Sequence, residues 1–169
     1  VLSGLGDPDF HPGAVYRKSV RVPSDWQGGR VLLHFGAVDH DAQVYVNGSL
    51  VGSHRGGYTP FSCDVTRAVT GGDNVIMVFV QDDTRAPVRA TGKQSRLYHS
   101  HDCVYTRTTG IWQTVWLEQV PSTYIASLRI TPDLPSGQVT IEAEVAGDCS
   151  RGTLEAHATL AGQPMGHAR

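Results

Sequence analysis

The side chains best suited to chemistry lie in one irregular stretch, residues 82–104 (DDTRAPVRATGKQSRLYHSHDCV). It shows neither helical nor strand period, and loops beyond about 12–15 residues in compact domains are usually functional or disordered. Arg85, Arg89, Lys93, Gln94, Arg96, His99, His101 and Asp102 all fall within it. His99-Ser100-His101-Asp102-Cys103 places four metal-capable side chains close together. A divalent ion needs such ligands to converge in tetrahedral geometry with partners from elsewhere. The chain offers no second cluster, so solvated or ligand-facing loop residues are the favoured reading, and neither a metal nor a cofactor is expected.

Nucleophilic catalysis is disfavoured as well. No G-x-S-x-G elbow is present, nor the strand-turn-helix that would strain one. Gly4-Leu5-Gly6 and the Gly52–Gly57 cluster open no helix, so they read as turns rather than phosphate loops. Trp112 and Trp116 are expected on one face of a strand over 111–119, in the core; the sharper reading makes them a stacking platform for a sugar ring. Trp26, in a turn, reads as a partly exposed lid. Arg107 either anchors a carboxylate from elsewhere or pairs on the surface.

The elements that must position these residues are strands. Ala42, Val44 and Val46 alternate with Gln43 and Tyr45, the period of a strand with one buried face. Asn47-Gly48 then predicts a two-residue hairpin turn, because a type I′ turn needs positive φ at both central positions. Gly52, Gly56 and Gly57 loosen the backbone before Tyr58-Thr59-Pro60-Phe61 starts another extended run. Before the hairpin, Val1–Gly13 reads as an irregular lead-in, Tyr16–Val22 as an edge strand and Arg30–Phe35 as a central strand. After it come Phe61–Thr66, one short helical turn over Asp64–Val69, a turn at Gly71–Asn74 and a hydrophobic strand over Asn74–Gln81. Beyond Pro121 the pattern changes to shorter strands at Leu128–Thr131, Val139–Val145 and Leu154–Leu160. No helix of ordinary length is expected. Repeated short strands with Gly and Pro turns predict an all-β chain, a jelly-roll sandwich over 1–121 followed by an incomplete second sandwich over 122–169.

Bulk properties exclude several classes. The chain has 169 residues, 40% hydrophobic and 18% charged, which is the balance of a folded domain. A formal net charge of −2 gives no electrostatic case for nucleic acid or an anionic membrane. No apolar run approaches the roughly 20 residues of a membrane helix. No secretory segment opens the chain, so the compartment stays open with a lean toward the cytoplasm. Cys63, Cys103 and Cys149 are odd in number without CxxC spacing, and buried reduced thiols are the default reading.

Three separated blocks, VYVNGSLVGSHRGGYTPF (44–61), VFVQDDTR with the later GKQ, and VYTRTTGIWQTVWLE (104–118), occur in an order that resembles the N-terminal sugar-binding domain of glycoside hydrolase family 2. That family includes β-galactosidases, β-glucuronidases and β-mannosidases. The resemblance spans about residues 14–120, and residues 124–169 look like the start of the immunoglobulin-like sandwich that follows in such enzymes. It implies a retaining β-glycosidase whose two catalytic glutamates stand about 5–5.5 Å apart in a TIM barrel outside this chain. Glu118, Glu142, Glu144 and Glu155 are then not catalytic. Residues 82–104 would lend the rim of the barrel's pocket to a β-linked sugar. Asp102 is the first candidate for a hydroxyl contact, with Asp83, Arg85 and Lys93 behind it. An internal role for the 82–85 run, an aspartate capping the loop and pairing with Arg107, is an equal alternative. An autonomous carbohydrate-binding module and a purely structural sandwich remain the other readings.

Overall fold

The computed structural model describes residues 7, 9–26, 28–85, 90–150 and 152–169. Arg89 and Gly4-Leu5-Gly6 lie outside them. Thirteen strands and one 3-10 turn, Ser24–Trp26, make up the regular structure among the described residues. The chain divides into two compact units, Val1–Val120 and Pro121–Arg169.

In the first unit, β1 (Gly13–Val22), β7 (Gly72–Gln81), β4 (Asp41–Val46) and β5 (Ser49–Arg55) form one antiparallel sheet in the order β1-β7-β4-β5. A second sheet has the order β6-β2-β9, from β6 (Phe61–Asp64), β2 (Arg30–Phe35) and β9 (Val115–Val120). Its facing residues Val31, Leu33, Phe35 and Cys63 join Ala42, Val44, Val46, Val78 and Val80 of the first sheet in one buried cluster. This is a β-sandwich, and β1 is the edge strand that its alternation predicts. A short ladder of β3 (Val38–Asp39) with β8 (Gly110–Ile111) closes one end.

The hairpin forms as its residues require. Val46 pairs with Ser49 across Asn47-Gly48, whose φ values are 50° and 83°. Asn47 also does work that the turn signal did not reveal. Its Nδ2 donates to Asn74 Oδ1 at 2.7 Å and to the Ala68 carbonyl at 2.9 Å, while its Oδ1 accepts the Val75 amide at 2.9 Å. Asn74 is buried and in turn holds the Thr70 and Gly72 carbonyls, so two amides tie the hairpin to the start of β7.

The helical turn after β6 is present, with Val69 N donating to Val65 O at 3.0 Å. Asp64 sets it up: its Oδ1 accepts the Thr66 amide at 3.0 Å and hydroxyl at 2.5 Å, and its Oδ2 lies 3.3 Å from Arg30 Nη1. Partial burial of the carboxyl opposes ionisation, but the Thr66 bonds and the Arg30 charge outweigh it and hold the group below the usual aspartate range. A depressed carboxylate contributes stability that is present above its unfolded pKa and is lost as pH falls through the folded one. A carbon-13 carboxyl titration of the chain is therefore expected to give Asp64 a lower midpoint than Asp64 in the Thr66→Ala variant. Equal midpoints would show that the Thr66 bonds do not form.

Three expectations fail here, the third in part. The strand over 111–119 is interrupted: β8 ends at Ile111, β9 begins at Val115, and Gly36 N reaches across to Thr114 O at 2.9 Å. The inward parity in β9 belongs to Leu117, paired with buried Leu33, so Trp116 points outward. Trp112 and Trp116 are 44% and 45% exposed, not core residues. Of the cysteines only Cys63 is buried; all three are free thiols, with Cys103 and Cys149 at the surface. Trp26 packs against the core cluster, half buried.

The second unit contains two hairpins. In the first, β10 (Tyr124–Asp133) pairs with β11 (Gln138–Ala146); in the second, β12 (Ala156–Leu160) pairs with β13 (Gln163–Ala168). The last strand, with Gly166 and Pro164 in it, has no alternation to announce it. Register in the first hairpin sorts its faces: Leu128/Ala143, Ile130/Ile141 and Pro132/Val139 share one, Arg129/Glu142 and Thr131/Thr140 the other. Leu128, Ile130, Val139 and Ile141 are all exposed.

Candidate functional site

At the end of the sandwich closed by β3 and β8, three irregular segments converge on Asp39. Its side chain is buried, on a strand whose partner residue is Gly110. Gln94 donates from Nε2 to Asp39 Oδ2 at 2.7 Å and accepts the Thr108 amide on Oε1 at 2.7 Å. One glutamine thus joins the long loop, the YTRTTG segment and β3. Gly57 lies against the same carboxylate: a Cβ there would sit 2.4 Å from Asp39 Oδ1. Glycine is required by that contact.

The Gly57 carbonyl accepts Trp112 Nε1–H at 2.8 Å, which fixes the indole at the surface. The next residue, Tyr58, meets Trp112 edge to face with ring centroids 6.2 Å apart. Tyr58 is 53% exposed, so the two rings form an accessible aromatic corner beside a buried carboxylate. Partial burial, and then the negative charge of Asp39, push the Tyr58 hydroxyl above its ordinary value; a hydrogen bond with Gln94 partly offsets this. Tyr58 is therefore a neutral hydroxyl at physiological pH. The TTG bend is set by Tyr16, whose hydroxyl donates to Thr109 O at 3.1 Å and accepts the Ile111 amide at 3.2 Å. Gly110, with φ 93°, leaves room for that ring, which a Cβ would meet at 2.2 Å.

The long loop is ordered through its own backbone. Ser95 N donates to Tyr105 O at 2.6 Å and Tyr105 N to Lys93 O at 2.7 Å. Buried Ser95 donates its hydroxyl to His99 O at 2.8 Å. Arg107 donates to the carbonyls of Ser95 and Leu97 and lies 3.9 Å over the Phe10 ring. It is an internal organiser of the loop, a role that the residue alone does not disclose.

The four residues expected at a ligand occupy different places. Asp102 stands exposed, with φ 47°, at the tip of a tight turn closed by the His101 and Val104 backbones. Asp83 Oδ1 caps the Arg85 amide at 3.1 Å, the capping part of the internal reading. Arg85 lies 4.7 Å over the Phe10 ring. Lys93 is exposed, its carbonyl engaged by Tyr105. Asp39, Tyr58 and Trp112 were not expected as a group. Asp39 lies in the short stretch between Phe35 and the hairpin, where no motif marks it, and only the fold brings Tyr58 and Trp112 to it.

The groups at this end are of the kinds that hydrogen-bond and stack. They are an amide, a neutral phenol, hydroxyls and two aromatic surfaces around a carboxylate. Each glutamate is engaged: Glu118 beside His34 at 3.1 Å, and in the second unit Glu142 beside Arg129 at 3.5 Å, Glu144 with Ser127 at 3.1 Å, and Glu155 beside His157 and Arg169. His99 and His101 rings are 6.1 Å apart, and among the described residues no group of three or more His, Cys, Asp or Glu could hold a metal.

Comparison with known proteins agrees with this architecture. The family model described as the sugar binding domain of glycosyl hydrolases family 2 matches residues 6–121. A β-galactosidase of Thermoanaerobacter pseudethanolicus is 31% identical over 144 residues, covering 83% of this chain and 19% of the relative. A β-glucuronidase of Paenibacillus borealis is 43% identical over 74 residues, covering 43% of this chain and 12% of the relative. Among solved structures, a putative β-galactosidase from Bacteroides fragilis superposes with a TM-score of 0.72 at 27% identity, covering 94% of this chain and 24% of that one. The chain thus spans about a fifth of the first curated relative's length. By the model matched over most of its residues, the chain belongs to glycosyl hydrolase family 2 and carries that family's sugar-binding domain.

Proposed function

We infer that this chain is the non-catalytic sugar-binding portion of a retaining β-glycosidase acting on terminal β-linked sugars. The observation that carries the reading is the pinned loop: Gln94, Ser95 and Arg107 hold residues 93–108 in place beside an exposed Tyr58–Trp112 corner. A pre-ordered rim loses little entropy when it meets a ligand. The catalytic glutamate pair belongs to a TIM barrel outside these residues, against which the loop end of the sandwich packs. The second unit is the beginning of an immunoglobulin-like sandwich. The exposed apolar face of its first hairpin, Leu128, Ile130, Val139 and Ile141, is the inner face that further strands cover.

In this reading Asp102 reaches a substrate hydroxyl from the tip of its turn, with Lys93 and Arg85 at the periphery and Asp83 shaping the loop. A hydrogen bond to a charged group is worth about 1.5–3 kcal/mol. Asp102→Ala in the full-length enzyme is therefore expected to lower kcat/KM on an aryl β-glycoside by about tenfold or more. An unchanged kcat/KM would remove Asp102 from the rim.

A further inference from the structure

The outward face of the four-stranded sheet carries a second arrangement of groups, remote in sequence from the loop. β4, β5 and β7 line an open cleft of about 940 Å³. Its centre is an aromatic pair: Tyr45 and Phe79 meet edge to face at 5.4 Å and 79°, and Phe79 is 39% exposed. Register places Gln43 directly between Phe79 on one side and Ser53 on the other. The Tyr45 hydroxyl donates to Gln43 Oε1 at 3.3 Å, so the amide is oriented beside the ring. At one end Asp41 is paired with Gln81 and Arg55 across the ladder, and Arg55 Nε lies 3.2 Å from Asp41 Oδ1, the Arg55 side chain being 77% exposed.

We propose that this sheet face binds a short oligosaccharide of neutral pyranose units. The C–H face of a pyranose is apolar and takes an aromatic ring, while its equatorial hydroxyls form donor–acceptor pairs that planar amide, carboxylate and guanidinium groups match two at a time. The cleft presents all of these on strands, which hold them more rigidly than loops do. The aromatic pair supplies the stacking surface, and Gln43 and Ser53 beside it, with Asp41 and Arg55 at one end, supply the polar groups that a sugar's hydroxyls take up. The other sheet's outer face differs, because its tryptophan, Trp116, is already stacked on His34 at 4.8 Å. The site is separate from the Tyr58–Trp112 corner and does not depend on the loop's role.

The test titrates the 169-residue chain, labelled with nitrogen-15, with cellohexaose, mannohexaose, xylohexaose and galactohexaose up to about 10 mM, a range that captures affinities weaker than millimolar. At least one is expected to saturate and to shift amides in 41–45, 53–55 and 77–81. Phe79→Ala, a surface change that leaves amide dispersion intact, is expected to weaken that binding about tenfold, and Gln43→Ala about fivefold. Arg129→Ala in the second unit serves as the unaffected control. Flat titrations with all four sugars overturn the proposal, as does binding that Phe79→Ala leaves unchanged. Shifts confined to residues 92–112 also overturn it while leaving the rim reading in place.

Discussion

Gln94→Leu is expected to release the long loop while leaving the sandwich folded. The substitution keeps the side chain's size but removes its bonds to buried Asp39 and to the Thr108 amide, along with its hydrogen bond to Tyr58. Asp39 is 5% exposed, so water does not readily replace the lost donor. A lost hydrogen bond to a buried charged acceptor costs about 1.5–3 kcal/mol, and the Thr108 bond adds a smaller amount because that residue is exposed. Native-state hydrogen exchange should show Thr108, Tyr105 and Ser95 amides opening at least tenfold faster. The amides of β2, β4 and β7 should exchange as before, since local opening need not involve the core. Uniformly faster exchange, or none, would show that Gln94 is not what pins the loop. In the full-length enzyme the same variant should raise KM through a rim that is no longer pre-ordered.

Phe35→Ala is expected to have the largest effect on stability. Phe35 is fully buried, stacks on Phe61 at 4.7 Å and, at the end of the central strand of the second sheet, sits in register between Phe61 and Val115. Phe→Ala in a core costs about 3–5 kcal/mol from lost burial and the cavity left behind. That is a large share of the 5–15 kcal/mol typical of a whole domain. Urea denaturation followed by tryptophan fluorescence measures it, because Trp26 packs against the same cluster. A loss below about 1 kcal/mol would mean that the sheets close over the gap, contrary to a close-packed sandwich.

These two residues also show what the chain discloses and what it conceals. Phe35 is legible because RVLLHF is apolar almost throughout, as the separate β4–β5 hairpin is legible from Asn47-Gly48, and both form where expected. Local chemistry determines such elements. Gln94 is legible only as one polar residue of an irregular loop, because its partners lie at positions 39 and 108. Asp39 is hidden for the same reason, and so is the Asn47–Asn74 amide pair. Trp112 and Trp116 mislead because alternation assigns a face only within an unbroken strand, and the break at 112–114 moves both rings outward. The family blocks at 44–61 and 104–118 identify the domain, yet Asp102, Asp83, Arg85 and Lys93 owe their candidacy to the resemblance and not to a spacing that converges on a ligand.

The most direct test is hydrolysis itself, assayed on the 169-residue chain and on the full-length enzyme with aryl β-galactoside and aryl β-glucuronide, following the anomer released by proton NMR. The full-length enzyme is expected to turn over at least one of them with retention of configuration, and the 169-residue chain neither. Turnover by the 169-residue chain, or inversion by the full-length enzyme, would contradict the account.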